Sequence, residues 1–395
     1  MATMDVRAIL MIAPPEAPTE ERFAGMPLAL LDIAGKSLLE HVAGRLRSFG
    51  IEEIAVVCDR SFDYSTCSPQ QAVRRHVVEQ ENLWSTCETV FNDFAQTGAE
   101  MVLVQRLGAY VEVNYDHFLQ FHLDRQAHVS LLCDGEGGLD LVAICASRRN
   151  NAAYLFRHQL SQFRQPPAQY FFNGAINRMR DIRDFRKLTQ DVLLQRTELR
   201  PAGEEIRPGV WAGNGARIER GARVVAPAFL GAHSRIRAAA VITRASSIGH
   251  HAEIDCGTIV EASSVLPYSY LGAALELANS VAGFSRLVNL ERNVEVEIAD
   301  RKLLGLRSAS ASRRALESAA LFARFVPVEM IRSIFAPRRQ PLPTDEPAGI
   351  RTLPSTLQGV AEVEERRKER ERVQASPSAA FENQLIVVRR YGGDQ

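Results

Sequence analysis

From residue 206 to residue 271 the chain carries an apolar residue at every sixth position. Ile206, Ala212, Ile218, Val224, Leu230, Ile236, Ile242, Ile248, Ile254, Val260 and Leu266 share one phase, and only Ala212 is not a large aliphatic. Four residues after each comes a second ordered position: Val210, Ala216, Ala222, Ala228, Ser234, Ala240, Ser246, Ala252, Thr258, Ser264 and Tyr270. Small side chains dominate it until the last. An amphipathic helix repeats every ~3.6 residues and an isolated strand every two. A period of six fits neither. It predicts a solenoid whose short strands meet at tight corners, each coil burying its apolar face against the next.

The first two hundred residues alternate instead between strand-like and helix-like patterns. The apolar run over residues 7–13 predicts a buried strand. Leu38, Leu39, Val42, Ala43, Leu46 and Phe49 form a helical stripe over residues 36–49, with Gly50 as its C-terminal cap. Strands are predicted over residues 51–58, 101–104 and 128–133, and helices over 117–125, 154–164 and 179–196. This alternation argues a parallel sheet with helices on both faces. After residue 271 the hexad phase is lost, although Leu277 and residues 294–298 read as further strand-like coils. Residues 312–336 look helical with a break at Pro327. The resulting division is an α/β domain over 1–200, a solenoid over 201–300, an amphipathic helical segment over 301–340 and a mostly disordered tail over 341–395. The apolar patch at residues 385–388 reads as a frayed end or as a strand for a partner.

The length of 395 residues exceeds what one core supports, in keeping with that division. Lys plus Arg (47) balances Asp plus Glu (47), so no net field points to nucleic acid. Cys58, Cys67, Cys87, Cys133, Cys145 and Cys256 are scattered, with no C-x-x-C pair. They read as reduced thiols in a cytoplasmic protein. No apolar run is long enough to cross a bilayer.

The hexad pattern resembles the hexapeptide-repeat, left-handed parallel β-helix. The segment Pro27-Leu28-Ala29-Leu30-Leu31-Asp32-Ile33-Ala34-Gly35-Lys36-Ser37-Leu38-Leu39-Glu40-His41-Val42 resembles the sugar-nucleotide pyrophosphorylase segment P-K-P-L-L-P-x-x-G-K-P-L-L-E-H. Gly50-Ile51-Glu52-Glu53-Ile54-Ala55-Val56-Val57 resembles the strand entry that follows it. The resemblance is closest to mannose-1-phosphate guanylyltransferases. It implies an α/β fold: a Rossmann-like nucleotidyltransferase domain with a parallel-rich sheet, followed by the left-handed β-helix. The implied reaction joins a sugar 1-phosphate to a nucleoside triphosphate and releases pyrophosphate. It needs N–H donors around the triphosphate, cations near the attacked phosphate and a carboxylate-held Mg²⁺.

At the positions the resemblance assigns to this chemistry, the chain departs. Ala13, Pro14 and Glu16 stand where a glycine loop should cradle phosphate; proline has no N–H to give and Glu16 repels an anion. Leu28 replaces the lysine of P-K-P. Gly108 replaces the metal carboxylate of N-G-D. Glu112 is its nearest acidic neighbour, and Asp181 aligns loosely with a second family aspartate. Arg22 is a surface arginine that offers a replacement cation. The expectation is a degenerate pyrophosphorylase-like protein that binds, regulates or scaffolds in sugar-nucleotide and polysaccharide metabolism. Its expected ligand is a sugar nucleotide or sugar phosphate, with Mg²⁺ only if nucleotidyl transfer is retained. An active nucleotidyltransferase with a remodelled site is the first alternative. A hexapeptide acyltransferase using His250 or His251 is the second, weighed against a plain surface pair; His233 lies on the same solenoid. The basic, apolar segment 312–339 predicts packing within a homo-oligomer, with peripheral contact to an anionic membrane as the competing expectation.

Overall fold

The first apolar run folds as β1 (Val6–Ile12), buried at every residue after Val6. A strand covered on both faces needs this continuous run rather than an alternation. The computed structural model describes residues 4–12, 22–60, 74–147, 149–306 and 388–390, all within one compact unit. After β1 come the short antiparallel pair β2 (Arg22–Phe23) and β3 (Met26–Pro27) and a buried 3-10 turn at Leu28–Leu30. The helix α1 (Leu38–Ser48) begins at Ser37, whose side chain accepts from the Glu40 N–H while the Glu40 carboxylate accepts from the Ser37 N–H. This reciprocal cap satisfies two donors that the helix start would leave unpaired. Then follow β4 (Ile54–Asp59), β5 (Arg74–Val78), α2 (Leu83–Gln96), β6 (Met101–Arg106), β7 (Tyr110–Val111) and α3 (Tyr115–Asp124). The domain closes with β8 (Val129–Cys133), β9 (Gly138–Cys145), α4 (Arg149–Arg157), β10 (Ala168–Phe171), β11 (Ile176–Asn177) and α5 (Ile182–Leu193).

Seven of these strands form one sheet in the order β10-β8-β9-β6-β1-β4-β5. All neighbours are parallel except β9, which runs against both β6 and β8. The four residues between β8 and β9 are too few for a parallel crossover, so they close a hairpin. Ala8, Leu10 and Ile12 face a core shared with α1, α3 and α5, while Ile9 and Met11 face α2 and α4. The helix expected over 154–164 instead ends at Arg157.

The solenoid opens with β12 (Glu204–Arg207), antiparallel to the first coil. That coil is β13 (Val210–Ala212), β14 (Arg217–Ile218) and β15 (Arg223–Val224). The second is β16 (Ala228–Leu230), β17 (Arg235–Ile236) and β18 (Val241–Thr243), and the third β19 (Ser246–Ile248), β20 (Glu253–Ile254) and β21 (Ile259–Glu261). A fourth is β22 (Ser264–Val265), β23 (Ser269–Leu271) and β24 (Glu276–Ala278); β25 (Ser280–Gly283) starts a fifth. Strands stack in parallel on three faces. Leu230 pairs with Ile248, Ile236 with Ile254 and Ile242 with Val260, eighteen residues apart. These side chains fill the interior.

Three expected interior positions are corrected. Ile218, in the first coil, is 37% exposed rather than buried. Ile206 lies on β12, outside the coils, and is 47% exposed. The phase also slips after Val260: the interior residue beneath Ile248 is Val265, not Leu266. The corner that turns through Arg244 and Ala245, both at positive φ, has a single such residue in the next two coils, Ala262 and Asn279. Serines hold this shortened corner in register. Ser246 Oγ accepts from the Ser263 N–H at 3.2 Å, and Ser263 Oγ accepts from the Ser280 N–H at 3.0 Å. Leu266 instead joins the core shared with the α/β domain. Leu277 continues the interior as expected, but residues 294–298 do not form coils. They contribute β27 (Val294–Glu297), antiparallel to β26 (Arg286–Asn289), while β28 (Leu304–Leu306) pairs antiparallel with β23. β29 (Val388–Arg390) then pairs with β27 of its own chain. The segments 312–339 and 341–387 lie outside the described residues. Among those described, no helix is long and apolar enough to cross a membrane.

The α/β domain packs directly on the solenoid. Arg186 of α5 donates to the carbonyls of Ala245 (2.7 Å) and Ala262 (3.1 Å), at the corner that shortens. Gly35, at φ 98, sits where a Cβ would lie 2.6 Å from the Phe229 ring and from Ala202 Cβ. Only glycine combines that backbone with that closeness. Trp211, Phe229, Leu266 and Val281 project from the solenoid into the same apolar cluster as α1 and α5.

Candidate functional site

Parallel strands end together, and in open α/β sheets ligands bind outside those carboxyl ends, where the strand order reverses direction. Here the order reverses at β1: β4 and β5 lie to one side, β6 to the other. The rim beside it is built by the end of β6, the turn to β7, the start of β9 and the residues following β8.

Arg106 closes β6 and reaches Asp140 on β9 at 3.1 Å. Asp140 adopts φ 55, a backbone state uncommon outside glycine. Gly108 follows Arg106, and a Cβ on it would lie 3.5 Å from Asp140 Oδ2. Just past β8, Asp134 accepts from Arg178 at 2.6 Å and from the backbone N–H groups of Glu136 and Gly137. Desolvation pushes the Asp134 carboxyl up, but those N–H groups and Arg178 outweigh it and hold the group below its ordinary range. Glu136 in turn pairs with Arg180 at 2.8 Å. The rim is therefore a row of arginine–carboxylate pairs.

The residues singled out in the sequence divide into three groups. Gly108 and Glu112 flank β7, which pairs with β11, and β11 leads to Asp181 at the start of α5. Each carboxylate there is already engaged. Glu112 Oε1 accepts from the Tyr110 hydroxyl at 2.8 Å and from the Glu198 N–H at 2.6 Å. Asp181 caps α5 by accepting from the Asp184 N–H at 2.8 Å. Leu28 is a core residue, 2% exposed. Ala13, Pro14 and Glu16 lie outside the described residues, as does the side chain of Arg22. The Mg²⁺ that the resemblance implies does not fit the positions it assigns. Gly108 offers no side-chain ligand, and Asp181 Oδ1 is spent on a helix cap. Among the described residues no group of three His, Cys, Asp or Glu is placed to hold a metal ion. Arg106, Asp134, Asp140 and Arg178 were missed by the sequence reading, because only the hairpin β8–β9 and the β7–β11 pairing bring them together.

The solenoid histidines form a second constellation. His233, His251 and Tyr268 occupy equivalent corners in successive coils, all at positive φ. Their rings adjoin: His233 and His251 lie 4.9 Å apart between centroids, tilted by 41°, and His251 stacks on Tyr268 at 5.0 Å with an interplanar angle of 16°. His250 lies edge-on to both His251 and Tyr268. The expected plain surface pair is thus half-buried within an aromatic stack. Burial, and next the His251 charge, lowers His250 to about 4. Its backbone N–H lies beside Asp32 of the α/β domain, which accepts from the Gly35 N–H. Burial raises Asp32 to about 7 against those two N–H groups, and its Oδ2 is buried without a partner.

Comparison with protein-family models and with curated proteins finds no match for this chain.

Proposed function

We propose that the chain is a catalytically degenerate relative of the sugar-nucleotide pyrophosphorylases, with a left-handed coil. It binds a sugar nucleotide or sugar phosphate and serves as a regulatory or scaffold subunit, itself homo-oligomeric, in sugar-nucleotide and polysaccharide metabolism. The observation that carries this reading is the ion-paired rim. Gly108 stands where the resemblance calls for a carboxylate, and Asp140 and Asp134 are each held by an arginine. Phosphoryl transfer depends on cations and a metal aimed at charge that develops in the transition state. Arginines already committed to carboxylates do less of that work. They remain suited to binding, since a phosphate exchanges for a carboxylate on a guanidinium with similar geometry.

The test is calorimetric titration of the full chain with a panel of nucleoside diphosphate sugars. At least one member is expected to bind, and Arg178→Gln is expected to weaken it by about tenfold. Failure of every member to bind contradicts the reading.

One observation favours the remodelled, active enzyme as a second reading. Asp140 places a carboxylate beside Gly108, on a strained backbone of the sort that functional sites retain. That reading requires turnover that Asp140→Asn abolishes.

A further inference from the structure

At the opposite end of the strands, the starting ends of β8 and β10 border a hollow of about 480 Å³ between the end of α3 and the segment joining α4 to β10. Small organic ligands occupy cavities of about 300–1,000 Å³. No Asp or Glu lines this one, whereas Arg125, His128 and Arg164 do. Neither Arg125 nor Arg164 has a carboxylate partner among the described residues, so two guanidinium groups share the hollow without a counter-charge.

Aromatic rings hold both in place. The Arg164 guanidinium carbon lies 4.5 Å from the Tyr154 ring centroid, and that of Arg125 lies 5.6 Å from the Phe121 ring centroid. A guanidinium against a ring keeps its N–H edge for an acceptor, which suits a phosphate. Tyr154 and Phe163, both half-buried, add apolar wall. The last carbonyls of α3 point this way, but those of Phe121, His122 and Leu123 already accept from the backbone N–H groups of Arg125, Ala127 and Gln126 respectively. The helix end therefore presents little unpaired negative charge to an incoming anion.

We propose that this hollow binds an organic phosphate bearing a planar ring, of the nucleoside monophosphate class, separately from the ion-paired rim. Phosphate bridges Arg125 and Arg164, and the base lies against Phe163. The proposal does not depend on the reading of the rim.

Calorimetric titration of the full chain with GMP and AMP, with guanosine, and with inorganic phosphate tests it. A mononucleotide is expected to bind in the micromolar range, more weakly as salt rises. Guanosine and phosphate alone are each expected to bind at least about tenfold more weakly. Arg125→Gln and Arg164→Gln, both at exposed positions, are each expected to weaken the mononucleotide by about tenfold without changing the melting temperature. Arg178→Gln is expected to leave its binding unchanged. Absence of mononucleotide binding, or binding indifferent to both hollow variants, overturns the proposal. Loss of binding in Arg178→Gln alone also overturns it, by placing the ligand at the rim.

Discussion

His41 faces inward from α1, with Nε2 3.0 Å from the Ile33 carbonyl. Burial is the largest influence and lowers it to about 4, against the bond to Ile33 and with the nearby Lys36 charge. The unfolded chain takes up a proton near pH 6.5 that the folded chain refuses until about pH 4. Stability from this site is therefore complete above pH 6.5 and is lost as pH falls toward 4, by about 3 kcal/mol at the end of the window. Asp32 acts in the opposite sense. Its folded value near 7 means that stability present below pH 4 is lost as pH rises toward 7. The two must be separated by variant. His41→Gln keeps a donor for Ile33 but cannot titrate. Urea midpoints of parent and variant are expected to converge as pH falls from 7 to 4.5; parallel curves would show that His41 titrates normally. Neither residue stood out in the sequence for this role. His41 sits in a helical stripe and Asp32 in a loop motif, and only the packed solenoid completes the burial of Asp32 Oδ2.

At the scale of elements, the hexads were legible because one aliphatic per six residues is what each face of the coil requires. Their slip was not legible. Leu266 keeps the sequence phase, yet the corner before β22 loses a residue and turns Val265 inward instead. The chain gives Leu266 a second destination in the core shared with α1 and α5, which no local pattern announces. Ile242 and Arg244 test the part of the register that held. Ile242 is fully buried, while the Arg244 side chain is 75% exposed and pairs with Glu261. Ile242→Asp is expected to destabilise the solenoid by several kcal/mol, on the order of an unpaired buried carboxylate, and Arg244→Asp by about 1 kcal/mol. Equal thermal melting of the two variants would show that the interior is misassigned.

Arg186 tests how α5 joins the solenoid. Burial lowers its guanidinium to about 10, and Nη1 has no partner, so its burial is costly in itself. Its gain lies in satisfying the carbonyls of Ala245 and Ala262. Arg186→Met keeps most of the stem and removes both bonds. It is expected to cost about 1–3 kcal/mol, seen as a lower melting temperature. A variant that melts like the parent would show that water serves those carbonyls equally well.

For the whole molecule, the sequence showed two architectures but not how they share one core. The α/β alternation predicted strands and helices but not the reversed β9, whose direction follows from a four-residue hairpin. The rim inherits that limit. Gly108, Glu112 and Asp181 were visible along the chain, whereas the pairs Arg106–Asp140 and Arg178–Asp134 exist only once β8, β9 and β11 are folded. The proposed role of this rim is to bind and not to catalyse. Release of pyrophosphate tests that most directly, with the full chain given Mg²⁺, each nucleoside triphosphate and a series of sugar 1-phosphates. The predicted result is no release above that of protein-free controls. Sustained release that Asp140→Asn, Asp181→Asn or Glu112→Gln abolishes would contradict it.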